Sequence, residues 1–287
     1  MKKFKIKSFC KINLFLKILN KNIHNYHNIN SLITFCEPYD LISIQAINNS
    51  YDKVSFSGKF KKGINKKFNT ITKVLFILRK MKLLKNKNFK IDIKKNIPHG
   101  SGLGSGSSNA ASLLSFLNNN LKLKLGKNLK NKISREIGFD VPVNLEIKNS
   151  AFAGKNNKIL RFKQKFRLNI LIVFPNIVCS TKKIYKKNKI FNSSPIRYNS
   201  HLNSKKKLIN FLKREGNDLE KAATKLYPRI KKVIKFIKKQ RGCYFSRITG
   251  SGSACIGIFS DKESIVFTQK LIKSKFPKYW SVVSKTI

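Results

Sequence analysis

The segment Pro98-His99-Gly100-Ser101-Gly102-Leu103-Gly104-Ser105-Gly106-Ser107-Ser108-Asn109 sets four glycines within seven residues and then two hydroxyls. It lies between a strand-like run, Phe89 to Ile93, and a helix-like run, Ala110 to Leu121. Glycines let the main chain take positive φ and approach an oxyanion closely, and the first-turn amides and dipole of a helix favour negative charge. The spacing therefore predicts a phosphate cradle, with Ser107 or Ser108 placed to cap the helix and to touch a metal or a phosphate. Gly-Lys-Ser/Thr does not end the loop, so it is not a Walker A element, and serines at 105 and 107 break the G-x-G-x-x-G dinucleotide fingerprint. A flexible linker is the bland alternative, but linkers seldom sit tightly between a strand and an apolar helix.

Composition narrows the remaining classes. A chain of 287 residues with 41% hydrophobic content can bury one large core or two ordinary ones. The formal charge of +50, from 62 Lys and Arg against 12 Asp and Glu, invites a nucleic-acid reading. The lysines are spread through every segment among Asn and Ile, which reads as solvated faces of a Lys/Asn/Ile-rich composition, without a specific nucleic-acid surface. The same field gathers polyanionic small substrates. Five dispersed cysteines form no C-x-x-C pair, so neither a disulfide framework nor a zinc site is expected. The four histidines lack metal-ligand spacing. Lys11, Asn13 and Lys17 interrupt any signal-peptide core, and no apolar run approaches membrane length, so a cytoplasmic protein without a membrane partner is the expectation.

The periodicities read as two α+β halves meeting near residues 150 to 166, with domains at 1–160 and 161–287. Strands are expected over Phe4 to Ile18 (one strand, or a pair broken at Asn13), Tyr39 to Ile47, Val54 to Phe60 and Arg167 to Phe174. Helices are expected over Asn69 to Leu84, Leu129 to Ile137, Lys205 to Leu226 and Pro228 to Lys239. A long loop fills 186–204. The C-terminal order is strand (Cys243 to Ile248), Gly250–Ser253 turn, strand (Ala254 to Phe259), helix (Lys262 to Phe276), strand (Trp280 to Ser284), a split β-α-β sheet of ferredoxin-like type.

No acid lies between Asp92 and Glu136, so the glycine loop is free of carboxylates that would repel a triphosphate. Asp140, in Gly138-Phe139-Asp140-Val141-Pro142, is a lone carboxylate in an apolar frame, either a structural cap or a group held for work. Lys11 interrupts an apolar strand, and by itself reads equally as an edge-strand lysine.

Together these segments resemble the GHMP kinase superfamily, whose hallmark P-x-x-x-G-L-G-S/G-S-S-A/N-A is met almost unbroken from Pro98 to Ala110. Lys11-Ile12-Asn13-Leu14-Phe15-Leu16, Asn25-Tyr26-His27, Asp140-Val141-Pro142 and Thr249-Gly250-Ser251-Gly252-Ser253-Ala254 resemble the branch that phosphorylates a cytidine-diphosphate-linked methylerythritol in non-mevalonate isoprenoid synthesis. The resemblance implies a two-domain fold, N-terminal nucleotide-binding and C-terminal ferredoxin-like, with ATP and Mg²⁺ and a small-molecule substrate. It implies that Asp140 handles the hydroxyl proton and that Lys11 steadies charge. It gives the ATP phosphates to Pro98, His99, Gly100, Ser101, Gly102, Leu103, Gly104, Ser105, Gly106, Ser107 and Ser108. It gives the substrate to Asn13, Tyr26, His27, Tyr185, Gly250, Ser251 and Gly252, with Tyr26 and Tyr185 stacking on the base. No dedicated metal carboxylate is implied, and the assembly is a monomer or homodimer.

The chain departs from the family in having His24-Asn25 where Asp-Gly usually precedes Tyr-His, and Ser105 where glycine is commoner. Another small-molecule kinase of homoserine or mevalonate type, or a basic nucleic-acid binder of similar topology, are the alternatives.

Overall fold

The computed structural model describes residues 2–21, 27–153, 158–192, 194 and 202–287. The chain forms two compact units that are not consecutive in sequence: 1–10, 38–99 and 104–147 in one, 11–37, 100–103 and 148–287 in the other. A cut at 160/161 does not separate these units, because strands β1 (Lys3–Lys21) and β2 (His27–Ile47) each run from one into the other.

In the first unit, β3 (Lys53–Ser57) lies parallel to β4 (Asn88–Lys94), and β4 pairs antiparallel with the C-terminal half of β2, Ile91 opposite Ile44 and Ile93 opposite Ile42. Period-2 alternation puts Phe89, Ile91 and Ile93 on one buried face. Helices α1 (Thr70–Lys80) and α2 (Ser105–Asn120) pack with that face through Val74, Leu78, Leu113, Leu114 and Leu117, and α3 (Lys127–Ile137) adds Ile133 and Ile137. Asn69 opens α1 with a full capping box: its carboxamide oxygen accepts from Ile71 and Thr72 while Thr72 accepts from the Asn69 amide.

In the second unit, β5 (Ser150–Ala153) pairs with the N-terminal half of β2, and β6 (Lys158–Arg161) pairs with β5. A separate antiparallel sheet contains β7 (Asn169–Phe174), β8 (Cys243–Ile248), β9 (Cys255–Phe259) and β10 (Trp280–Lys285) in the order β10-β7-β9-β8. With α7 (Pro228–Lys238) before β8 and α8 (Lys262–Lys275) before β10, this is the βαββαβ order of a ferredoxin-like domain. Helices α4 (Thr181–Lys187), α5 (Lys205–Arg214) and α6 (Glu220–Leu226) fill the first crossover.

Of the two readings of Phe4 to Ile18 the single strand holds, because the Asn13 carboxamide is satisfied inside the sheet. Other expectations are corrected. The strand expected at Tyr39 begins at His27; its first half carries Asn28, Asn30, Ser31 and Thr34, polar residues that are nevertheless buried. The helix expected over Lys205 to Leu226 divides around Gly216, where the Asn217 carboxamide accepts from Leu219 N–H at 3.0 Å. Of the long loop expected over 186–204, Lys186 and Lys187 end α4, the other described residues lie outside helix and strand as expected, and the rest falls outside the described residues. Among the described residues no helix is long and apolar enough to cross a membrane.

Candidate functional site

The glycine segment enters helix earlier than its composition suggests. α2 starts at Ser105, so Ser107 and Ser108 lie inside its first turns and neither is the cap. The N-cap is Gly104, in the left-handed region at φ 67°, and no side chain caps the helix. A 16-residue helix therefore begins with first-turn amides that no side chain of its own satisfies, the arrangement that suits an anion. The two hydroxyls differ. Ser108 Oγ donates to the Phe9 carbonyl at 2.7 Å and accepts from Ser8 Oγ at 2.9 Å, so it is taken by the fold, whereas Ser107 sits half-buried at the helix start.

Beneath this turn lies a hub that sequence reading missed. Asp40, fully buried, accepts from the amides of Asn96 and Ile97 at 2.8 and 2.9 Å, from Ser105 Oγ at 2.7 Å and from Asn109 Nδ2 at 3.1 Å. The buried Lys95 ammonium bonds both Asp40 and Ser105. Burial pulls the Lys95 pKa down, and the Asp40 carboxylate opposes that pull. Asp40 thus ties the end of β4 to the first turn of α2. Its sequence signal was one of few acids in an apolar frame; Lys95 offered none among so many lysines. His99, at the mouth of the loop, bonds through Nε2 to the Lys62 carbonyl at 2.8 Å.

In the second unit, Lys11, Asn13, the loop residues Gly100 to Leu103 and the Thr249–Ser253 turn meet. Lys11 is 3% exposed, and its ammonium donates to Asn13 Oδ1 at 2.8 Å. Asn13 Nδ2 donates to Ser31 Oγ at 2.8 Å, and Ser31 Oγ to the Phe15 carbonyl at 2.6 Å, a relay that fixes which edge of the carboxamide faces Lys11. The Lys11 amide donates to the Leu103 carbonyl at 2.9 Å, the Asn13 amide to Thr249 Oγ1 at 2.8 Å, and the Ala254 amide to the Ser101 carbonyl at 2.9 Å. Gly102 has φ 82°, and a Cβ there would come within 2.3 Å of the Thr249 carbonyl oxygen. Asn217 Nδ2 holds the turn from behind through the carbonyls of Gly250, at 2.8 Å, and Ile248, at 3.2 Å. Ser251 Oγ is 2.9 Å from Thr181 Oγ1. The Gly250–Gly252 turn is therefore set beside Lys11 and Asn13, as the sequence expectation had grouped them. Ser31, Asn217 and Thr181 were not anticipated.

The aromatic candidates also lie in this unit. His27 and Tyr185 have ring centroids 5.0 Å apart at 41°; Tyr26 lies outside the described residues. Asp140 is half-buried in the turn after α3, where its carbonyl accepts from Asn144 Nδ2 at 2.5 Å and the 3₁₀ turn Pro142–Leu145 follows. Among the described residues no three His, Cys, Asp or Glu side chains cluster for a metal. None of the five cysteines is in a disulfide. Burial pushes Cys179 up to about 11 and Cys243 up to about 12, so neither supplies a thiolate at neutral pH.

Comparison with known proteins follows this geometry closely. The pattern of the GHMP kinases N terminal domain matches residues 69–146 and that of the GHMP kinases C terminal region matches residues 198–278. A 4-diphosphocytidyl-2-C-methyl-D-erythritol kinase of Pelagibacter ubique (strain HTCC1062) is 42% identical over 289 residues, covering 100% of both chains. One from Wolbachia pipientis wMel is 33% identical, covering 98% of this chain and 97% of its own. A crystal structure of 4-(cytidine 5'-diphospho)-2C-methyl-D-erythritol kinase superposes with TM-score 0.78 at 20% identity over 99% of this chain and 100% of that one. A homoserine kinase from Cytophaga hutchinsonii superposes with TM-score 0.75 at 16% identity, over 100% and 95%. The two structural likenesses show the fold alone. Full-length identity is what separates the sequence from the homoserine branch.

Two outcomes test this construction. Asp40→Ala removes the carboxylate paired with Lys95 and strands two amides, so it should cost about 3–5 kcal/mol of unfolding free energy, read from urea midpoints; a loss below 1 kcal/mol would show that the hub is not structural. Gly102→Ala forces a Cβ against the Thr249 carbonyl at positive φ and should cost about 1–3 kcal/mol, while Gly216→Ala, whose added Cβ meets nothing within 4 Å, should be close to neutral in the same thermal melts.

Proposed function

The chain belongs to the 4-diphosphocytidyl-2-C-methyl-D-erythritol kinases of the GHMP kinase superfamily, and from that premise we propose that it transfers the γ-phosphoryl group of ATP to the 2-hydroxyl of 4-diphosphocytidyl-2-C-methyl-D-erythritol, in the non-mevalonate route to isoprenoid precursors. The observation that carries the reaction class is the uncapped glycine start of α2. The substrate comes from relatives that match this sequence end to end.

Phosphoryl transfer through a loose transition state asks mainly for alignment and charge stabilisation. In this reading the segment from Pro98 to Ser108 receives the phosphates, and the first-turn amides of α2 supply donors where negative charge accumulates. The proton leaves the substrate 2-hydroxyl for the Asp140 carboxylate, the oxygen forms its bond to the γ-phosphorus, and the bond from that phosphorus to the bridging oxygen breaks to release ADP. Lys11, its ammonium oriented by Asn13 at 2.8 Å, offsets the charge on the attacking oxygen. Gly250, Ser251 and Gly252 border Asn13, and His27 with Tyr185 takes the cytosine.

Mg²⁺ fits the donor set. A small hard cation keeps its waters and binds phosphate oxygens with few protein ligands, and the loop offers the Ser107 hydroxyl without a carboxylate cluster. Bound with the nucleotide, the ion would neutralise phosphate oxygens during transfer. The +50 charge serves the same reading, since both substrates are polyanions.

The test is ADP formation by the purified protein with MgATP and, in parallel, the cytidine substrate, homoserine, mevalonate or no acceptor. Turnover is expected with the cytidine compound alone. Asp140→Asn should lower kcat by about 10²–10⁴-fold with an unchanged melting temperature. Turnover with homoserine or mevalonate instead, or full activity in Asp140→Asn, would overturn the assignment.

A further inference from the structure

Phe191 is half-exposed, yet its ring is held rather than loose. It stacks on His27, with centroids 6.0 Å apart and planes within 17°. The next residue is clipped to β1: the Asn192 amide donates to the Ile18 carbonyl at 2.8 Å, and Asn192 Nδ2 donates to the same carbonyl at 3.1 Å and to Asp218 Oδ2 at 2.7 Å. Asp218 Oδ2 also accepts from the Ile18 amide at 2.8 Å, and Asp218's own amide donates to the Leu16 carbonyl at 2.9 Å. On the other side, Asn188 Nδ2 donates to the Ile190 carbonyl at 2.7 Å. The chain is thus pinned on both sides of a phenyl ring whose exposed half has no role in burying the core.

A ring held this firmly beside an imidazole, with Tyr185 on α4 5.0 Å from that imidazole, makes three π-faces, one from β2 and two from α4 and the stretch that follows it. Such a group suits a flat heterocycle, because stacking rewards any exposed π-face and the imidazole adds edge hydrogen bonding. We propose that Phe191 is a third aromatic wall of the nucleobase site, determining affinity for the cytidine end of the substrate, and that Asp218 is the positioning residue that holds it through Asn192. This rests on the kinase reading above, in which His27 and Tyr185 meet the base.

Steady-state kinetics of Phe191→Ala test the assignment. The KM for the cytidine substrate should rise about tenfold, with kcat, the KM for ATP and the melting temperature unchanged, and Phe191→Tyr should restore the wild-type KM. Asp218→Ala should shift the same KM in the same direction. Phe191→Trp adds a readout independent of turnover: its fluorescence should change saturably on titration with cytidine diphosphate, and the wild type, whose one tryptophan is Trp280, should not follow. An unchanged KM in Phe191→Ala on an active wild-type background overturns the inference alone. So does a fall in kcat and ATP affinity together with stability, which would make the ring purely structural. A wild type that neither turns over the cytidine substrate nor binds cytidine diphosphate would instead overturn the reading on which the inference rests.

Discussion

Asp40 is the point on which the start of α2 in the first unit depends. A carboxylate with no exposure is tolerable only when its oxygens are matched by donors, and here two backbone amides, a hydroxyl, a carboxamide and an ammonium converge on it. The geometry has a direct result. With Ser105 and Asn109 drawn toward Asp40, the first turn of α2 is anchored by its buried side, and its other amides are left without a side-chain cap. One buried ion pair therefore preorganises a helix N-terminus that carries no side-chain cap among the described residues.

The second unit solves a related problem with neutral groups. Lys11 is nearly inaccessible, and its orientation is set by a relay from Phe15 through Ser31 to Asn13. Main-chain bonds from the Lys11 amide to the Leu103 carbonyl and from the Ala254 amide to the Ser101 carbonyl fix the middle of the glycine loop against the same elements. Gly102 is required by the closeness of that approach, a 2.3 Å clash being what any Cβ would meet. Glycines in this loop thus do two separate things: Gly104 opens a helix without capping it, and Gly102 allows two backbone turns to touch.

Much of this was legible in the sequence and some could not have been. The ferredoxin-like order from Cys243 onward followed from clean alternation and an obvious glycine turn, and β8 matches its expected span residue for residue. The grouping of Lys11, Asn13 and the Gly250–Gly252 turn came from motif resemblance, and the structure brings those residues together. The start of β2 was missed because Asn28, Asn30, Ser31 and Thr34 give it no apolar alternation, and isolated polar residues usually face water; here each is buried. Gly216 and Asn217 carried a turn signal that the helical periodicity around them obscured. Lys95 had no signal at all, because one functional lysine among so many cannot be told from the rest before its burial is seen.

The central claim is chemical, that phosphate reaches a tertiary oxygen of the cytidine-linked acceptor, and the position of the new ester tests it most directly. Proton-coupled ³¹P spectroscopy of the product formed from ATP and 4-diphosphocytidyl-2-C-methyl-D-erythritol distinguishes the acceptor oxygens. Transfer to the 2-hydroxyl places the phosphate on a carbon without hydrogen, so the new monoester resonance should show no three-bond coupling to a carbinol proton. A resonance split by such a proton would place the phosphate on a primary or secondary hydroxyl and contradict the account.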